Sequence, residues 1–369
     1  MSKQFLCIYC SRHVGRANRT RHLLTHNADP DETALIEKFL HDLKDHQSLL
    51  ADALESEIKR AGGLRSLEDK KHRDAWGRSK SDSPFLMNIS ECWKGEVTDQ
   101  HVFEDIMHDF NKDKHVVIST TELHHPEQET SFAEVIEQIF VPNLSRVVFA
   151  VNFRIRDAMF QPQRLQHHKR FSEPLTTANA TPLGSFVDSH IDRGYHGITA
   201  LKHSIKIWGL YPLTAVNRKA WEQHRKSSQR FIDLQGKLEE GRFFVQSPSS
   251  AIYIPPGSIH TTVTVKGGYV PGILYITHES LEAAAHDLDI DISCGMSRKA
   301  AEFQPFLESV IMCFKEGESR CEAALKTLCK LSKQPELRKN KLFDEVKKYV
   351  DGKSSCGVCK NKWASHWRR

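Results

Sequence analysis

The spacing of apolar residues divides the 369-residue chain into segments of different predicted structure. In residues 29–62, apolar side chains recur at near-helical intervals, which predicts one long amphipathic helix. These side chains are Leu35, Phe39, Leu43, Leu50, Leu54 and Ile58. Residues 63–83 contain few apolar side chains and are rich in Lys, Arg, Asp and Ser, which is typical of a solvated linker.

The main domain is predicted at residues 84–295, where helices and strands are mixed. In its first part they are expected at 102–110, 115–119, 132–140 and 146–154. Short β-rich runs separated by Gly and Pro follow, and they predict a sandwich or barrel. These runs are 186–191, 198–210, 242–246, 251–254, 261–265 and 269–277. In residues 296–351 the pattern returns to helices, expected at 300–314, 321–331 and 342–350.

Composition excludes several classes of protein. The 52 basic and 47 acidic residues leave a net charge of +5, which by itself indicates no partner. Nine unevenly spread cysteines and no apolar leader after Met1 favour reduced or metal-bound thiols over disulfides. The longest apolar stretches fall far short of the ~20 residues of a membrane helix. We therefore expect an intracellular protein with no membrane partner.

Three separated residues provide the ligand types of a metal centre. His190 and Asp192 follow an apolar strand candidate, and period-two alternation would place both on one face of it. A third ligand, His260, follows the predicted tight turn at 255–257. Two imidazoles and one carboxylate on one side of an ion leave positions open for substrate and oxygen.

The strand that follows His260 has one polar face. Alternation places Thr262 and Thr264 beside His260, which is typical of a strand that lines a ligand cavity. On another predicted strand, Lys202, Ser204, Lys206 and Trp208 fall on a common face, so a lysine could enter the same cavity. A buried ammonium group would need an acidic partner there.

In this order, these motifs resemble the JmjC family of Fe(II)- and 2-oxoglutarate-dependent oxygenases. The resemblance covers about residues 84–293 and includes His190-Ile-Asp192, the strand from Lys206 to Trp208, and 255–260. It implies a mixed α+β fold with a double-stranded β-helix barrel of the jelly-roll or cupin type and flanking helices. The sequence departs from the family at Val187, where many members have a hydroxyl-bearing or aromatic residue.

The resemblance also implies the cofactors and their ligands. His190, Asp192 and His260 would bind Fe(II), and Lys206 would pair with the far carboxylate of 2-oxoglutarate. Thr262 and Thr264 are further candidates for contacts to that cosubstrate.

Residues 1–28 resemble a C2H2 zinc finger of the ββα type. Cys7 and Cys10, followed by His22 and His26, would bind Zn(II) and so fold a segment too small to fold alone. Its departures are Val14 and Arg19, which occupy expected core positions. Four basic side chains could contact the phosphates of DNA, while a protein-binding finger stays the alternative. They are Arg12, Arg16, Arg19 and Arg21.

Other cysteines and histidines are weaker candidates. In the basic tail, 352–369, Cys356, Cys359 and His366 offer three ligands of a second zinc without a clear fourth. Six other histidines are interpreted as surface or structural residues. They are His124, His125, His167, His168, His196 and His203.

Three functions compete for this arrangement. The leading hypothesis is a nuclear oxygenase that hydroxylates a protein or demethylates an N-methyl-lysine, with histones among the candidate substrates. The second is a non-catalytic chromatin or DNA-binding adaptor with the barrel as scaffold, and the third is a cupin metalloenzyme without 2-oxoglutarate. The helix of residues 29–62 would pack on the barrel or pair with a second copy of the chain.

Overall fold

The computed structural model describes residues 4–26, 28–65, 67, 70–78, 82–112, 117–119, 132–168, 170, 175–192, 194–294, 303–315, 328 and 341–351. Its first elements are β1 (Gln4–Leu6), β2 (His13–Gly15), α1 (Arg19–Leu24), α2 (Pro30–His46), α3 (Ser48–Arg60) and α4 (Lys70–Arg78). Next come β3 (Phe85–Asn88), α5 (Asp99–Lys112), β4 (Val117–Ser119), α6 (Phe132–Phe140), β5 (Val148–Arg154) and β6 (Leu175–Thr181). Then follow β7 (Phe186–His190), β8 (His196–Leu201), β9 (Ile205–Tyr211), α7 (Ala215–His224), α8 (Arg230–Asp233) and β10 (Arg242–Gln246). The last are β11 (Ser250–Ile254), β12 (Ile259–Lys266), β13 (Gly268–Tyr275), α9 (His278–Ser293), α10 (Gln304–Lys315) and α11 (Lys341–Asp351).

Two antiparallel sheets form the centre of the described structure. The minor sheet has the strand order β10-β9-β12-β7, and the major sheet has the order β3-β11-β8-β13-β6-β5-β4. A separate hairpin, β1-β2, lies at the N-terminal end. The fold is therefore mixed α+β, as predicted, with antiparallel sheets and flanking helices, and it is compatible with a large β-sandwich.

The inner faces of the two sheets share an apolar cluster. Trp208 and Phe244 of the minor sheet pack with Ile252 of the major sheet, and all three are buried. Leu67 and Trp76 join this cluster, with 2 % and 1 % of their surfaces exposed. Both residues belong to the predicted solvated linker, 63–83, so this segment contributes buried side chains to the core.

Helices α2 and α3 cover the outer face of the minor sheet. Their buried residues, such as Ile36 and Leu54, share one apolar cluster with Ile207 and Val263. The prediction of one long helix is wrong, because the chain bends at Gln47, where φ is −139° and ψ is 62°. The bend lets two shorter helices pack against each other and against the sheet.

The outer face of the major sheet is covered by α5 and α6. Val102 and Val135 of these helices share a buried cluster with Ile198 and Ile273 of the sheet. Strand β11 is buried in apolar clusters on both of its faces, which explains why it appears in the sequence as a short, nearly continuous apolar run. In the described part of the chain, no helix has the length and apolarity needed to cross a membrane.

One predicted strand, 198–210, is two strands. β8 ends at Leu201 and β9 begins at Ile205, so Lys202 lies in the turn between them. Its ammonium group donates to the carbonyl of Val97 (2.9 Å) and lies over the Trp93 ring, so of the two lysines it is Lys206 that could enter the cavity. The predictions for 321–331, for the tail at 352–369 and for His124 and His125 lie outside the described residues.

Candidate metal centre

Three potential ligands meet where β7 and β12 pair. His190 is the last residue of β7 and lies opposite His260 of β12 in the strand register. Asp192 Oδ1 lies 3.6 Å from His190 Nε2, and Asp192 Oδ2 lies 3.5 Å from His260 Nε2. All three ligand atoms lie within 4.8 Å of one another, so one metal ion could contact them together.

The alternation argument explains only part of this arrangement. It assumed that His190 and Asp192 lie on one strand, but β7 ends at His190. The chain turns beyond the strand, with Tyr195 N donating to Asp192 O (2.6 Å), and this turn brings the carboxylate back to the two imidazoles.

Backbone carbonyls orient both imidazoles. His190 Nδ1 lies 2.8 Å from Asp188 O, and His260 Nδ1 lies 3.1 Å from Ser258 O. A carbonyl only accepts hydrogen bonds, so each Nδ1 carries the proton and each Nε2 presents a lone pair toward Asp192. Burial, together with the nearby His260, lowers the pKa of His190 to about 4, so its imidazole is neutral, as a metal ligand must be.

Asp188 connects this strand end to α8. Its carboxylate accepts hydrogen bonds from the backbone N–H groups of Phe231 (2.7 Å) and Arg230 (2.9 Å). The Arg230 guanidinium in turn donates to Ser189 O (2.6 Å). No local pattern predicts this contact, because it joins residues more than 40 positions apart. These bonds hold the carbonyl that orients His190.

The polar face predicted for β12 lies on the inner side of the minor sheet. His260, Thr262 and Thr264 are buried there, while Val263 and Val265 pack in the outer apolar cluster under α2 and α3. In the register of β12 with β9, Thr264 lies opposite Lys206 and Thr262 lies opposite Trp208.

Lys206 is a buried cation on this inner face. Only 2 % of its surface is exposed, and its ammonium group donates to Thr264 Oγ1 at 2.9 Å. Among the described residues no carboxylate pairs with it, and burial lowers its pKa to about 7. The buried hydroxyl of Thr262 also has no partner within the described structure. A buried amine and an unsatisfied hydroxyl both cost free energy, which an anionic ligand between them would offset.

A second group of ligands lies in the β1-β2-α1 segment. The ligand atoms of Cys7, Cys10, His22 and His26 all lie within 4.8 Å of one another, so they too could hold a metal ion. Cys10 Sγ is 3.4 Å from His22 Nε2, and the two imidazole nitrogens are 3.3 Å apart.

Of the four arginines predicted to contact phosphates, Arg19 has partners within the described structure. Its guanidinium forms an ion pair with Glu37 of α2 (2.8 Å) and lies over the Phe5 ring. The core position expected near it is filled by Leu23, which is fully buried. Three of the four predicted phosphate contacts remain exposed, namely Arg12, Arg16 and Arg21.

No protein-family model matches the chain, and no curated protein does either. The function is therefore inferred from the residues and distances described above, and the resemblance to JmjC oxygenases stays a prediction.

Proposed function

We propose that the chain is an Fe(II)- and 2-oxoglutarate-dependent oxygenase of the JmjC type. The observation that carries this proposal is Lys206, a buried cation without a carboxylate partner among the described residues, on the inner face that also bears His260. A cupin metalloenzyme that uses no acidic cosubstrate would have no need for this amine.

The strand connections support a double-stranded β-helix. From β7 onward the chain crosses repeatedly between sheets: β7, β9 and β12 belong to the minor sheet, and β8, β11 and β13 to the major sheet. Jelly-roll folds cross between two sheets in this manner. The ligands would then lie inside the barrel, on the inner face of the minor sheet.

His190, Asp192 and His260 would hold Fe(II) from one side and leave the other side open. When bound, Fe(II) and 2-oxoglutarate would supply, together with dioxygen, the oxidation of a substrate C–H bond; one oxygen atom enters the substrate and the other enters succinate, and carbon dioxide leaves. The protein keeps the imidazoles in the required tautomer through Asp188 O and Ser258 O.

Lys206 and Thr264 would bind the far carboxylate of 2-oxoglutarate. The carboxylate would restore the charged form of the amine, and it would accept hydrogen bonds from both side chains. Thr262 lies between His260 and Thr264 on the same face, so its free hydroxyl would meet the same ligand.

The N-terminal cluster would bind Zn(II), because two thiols and two imidazoles are the donor set of a closed structural zinc site. The finger would bring a protein substrate, with histones as the leading class, to the barrel. Exposed Arg12, Arg16 and Arg21 would allow it to contact DNA phosphates in the nucleus.

Turnover of 2-oxoglutarate tests the proposal. Purified protein with Fe(II) is expected to release succinate, and the double variant His190→Ala/Asp192→Ala is expected to lose this activity to background. His203→Ala is a matched control, since His203 also pairs with one carboxylate, Asp99, but is exposed and outside the cluster. Equal turnover in the double variant, or salt-dependent DNA binding without any turnover in the wild type, would favour the adaptor or another function.

A further inference from the structure

A second group of metal-ligand side chains lies on the outer face of the major sheet. Asp82, His167 and His168 place one potential ligand atom each within 4.8 Å of the others. His168 Nε2 lies 2.9 Å from Asp82 Oδ2, and the rings of His167 and His168 are 4.2 Å apart. Two imidazoles therefore converge on one carboxylate.

This convergence is unusual for consecutive residues, whose side chains commonly point apart. Here a short 3₁₀ turn, Gln163–Leu165, precedes the pair, and His168 N donates to Leu165 O at 3.0 Å. The Gln161 side chain also donates to the Leu165 carbonyl inside the same loop. The loop is thus held in a conformation that presents both rings on one side.

The Nδ1 atom of His168 contacts a hydroxyl group on the side of the ring away from Asp82, as is common for metal-binding histidines. Only 6 % of its surface is exposed, and its Nδ1 lies 3.1 Å from the Tyr275 hydroxyl. The neighbouring His196 ring, 4.5 Å away, is itself held between the hydroxyls of Tyr253 and Thr277, each at 2.9 Å. Metal ligands in proteins typically have their second nitrogen oriented by such outer contacts.

The group is separate from the barrel ligands. A Cβ atom added at Gly197 would lie 3.7 Å from Asp192 Oδ2, so this position of β8 faces the barrel ligands. His196, its neighbour on β8, therefore points to the opposite face. Tyr253 and Tyr275 lie on this same outer face, in the apolar cluster beneath α5.

We propose that Asp82, His167 and His168 form a second metal site on this protein, and that it binds Zn(II). Nitrogen and oxygen ligands of this kind suit zinc, with water completing the tetrahedron. Asp82 and His167 are exposed, so an ion can enter from solvent. With the ion on His168 Nε2, the single proton of the neutral ring would lie on Nδ1 and donate to the Tyr275 hydroxyl, while Asp82 would bind the ion as a carboxylate.

The site would join two distant segments of the chain. Asp82 precedes β3, and the two histidines follow the 3₁₀ turn Gln163–Leu165, so the metal closes a loop of more than 80 residues. A bound ion would tie these two segments together.

Zinc stoichiometry tests the proposal. Full-length protein is stripped with a chelator, loaded with Zn(II), dialysed and analysed for metal per chain. His167→Ala and Asp82→Asn, both at exposed positions, are each expected to bind one ion fewer than wild type. His203→Ala, the matched control, keeps the wild-type number. Far-UV circular dichroism verifies that all variants fold.

Two further measurements separate this site from the barrel. In a His190→Ala/His260→Ala background, adding Asp82→Asn should still remove one zinc ion, so the result does not depend on the oxygenase proposal. Tyr275→Phe, which keeps all three ligands, is expected to weaken zinc binding about tenfold. An unchanged zinc count in both Asp82→Asn and His167→Ala would overturn the proposal.

Discussion

The proposed zinc finger, residues 4–26, and the proposed barrel, formed by the minor and major sheets, bring their ligands together in different ways. The finger has four donor side chains that face one another, so a bound ion would have no open position. The barrel has three donors on one side, and a buried amine and a free hydroxyl lie further along the same face. Similar ligand types thus form a closed cluster in a small segment and an open one inside a large core.

The two clusters also differ in what holds them. In the finger, Phe5, Val14 and Leu23 form a very small apolar core, so its order would depend on the metal. In the barrel, the imidazoles lie on strands whose outer faces pack in a large apolar cluster, and carbonyls orient the rings. We therefore expect metal loss to unfold the first and to inactivate the second.

The largest expected effect is the loss of the finger by Cys7→Ser. Structural zinc contributes on the order of 10 kcal/mol to the folding of such segments, so residues 4–26 should lose their order. Hydrogen exchange should show the amides of this segment exchanging at unfolded rates, while those of the barrel strands stay protected. Cys294→Ser is the control, because this thiol is not in a disulfide and does not belong to any group of potential metal ligands among the described residues. Unchanged protection in Cys7→Ser would contradict the closed-site interpretation.

Lys206→Ala addresses the open side of the comparison. Without the amine, the carboxylate of 2-oxoglutarate would be buried without its charged partner, which costs about 2–5 kcal/mol. The dissociation constant of 2-oxoglutarate, measured calorimetrically with Mn(II), should rise about 30-fold or more.

Lys202→Ala is the matched control for this change, since Lys202 lies in the turn outside the cavity and donates to a backbone carbonyl. Equal 2-oxoglutarate affinity in both variants would show that Lys206 has another purpose. The hydrogen-exchange protection of residues 4–26 should be unaffected in either variant.

Asp188→Ala should have an effect on the barrel metal that is smaller than the upper end, several thousand-fold, of the ~2–5 kcal/mol expected for Lys206→Ala. The substitution leaves the carbonyl that orients His190 but removes the carboxylate that ties it to α8. Loss of such outer contacts typically lowers metal affinity about 10- to 100-fold. A titration of Fe(II) against turnover would measure the change, and Asp233→Ala, on the same helix, provides the control. Normal metal affinity in Asp188→Ala would limit this residue to capping α8.

The smallest expected effect is that of a change of one pH unit on the affinity for 2-oxoglutarate. The pKa of Lys206 is lowered to about 7 by burial, and only the charged amine pairs with a carboxylate. Above about pH 7, binding must therefore take up a proton, and affinity should fall by up to about tenfold per pH unit. Below that pH this residue adds no dependence.

Calorimetry in buffers of different ionisation enthalpy would count the proton uptake. Lys206→Arg should abolish it, because arginine stays charged throughout this range. Affinity that stays constant between about pH 7 and pH 9 in the wild type would argue against an ion pair at Lys206.

Local patterns in the sequence were sufficient for parts of the site. Alternation between Thr and Val predicted which face of β12 is polar, because a strand with one face toward an apolar cluster must alternate. The same reasoning placed Lys206 on the inner face. The mixed α+β class followed from the order of short β-rich runs and helical segments.

Contacts between distant residues could not be predicted in this way. The bend at Gln47, whose side chain donates to Leu144 O (2.9 Å), depends on a partner 97 positions away. Trp76 lies in a charged segment, and its burial depends on the gap that the two sheets leave between them. Likewise, His167 and His168 gain a carboxylate only because the fold brings Asp82 beside them.

The short segment after α3 limits how the finger can move. Leu64 N donates to Ile8 O of the finger, and Arg65 N donates to Phe243 O of β10, each at 2.7 Å. Two adjacent residues, Leu64 and Arg65, therefore form hydrogen bonds with the finger and with β10, respectively. A side chain at Gly63 would clash with the backbone of Tyr9, so the two segments are in close contact there. A molecule anchored on the finger would be held at one set distance from the barrel opening. An oxygenase of the proposed kind would then select target residues by their spacing from the anchor point as well as by their chemistry.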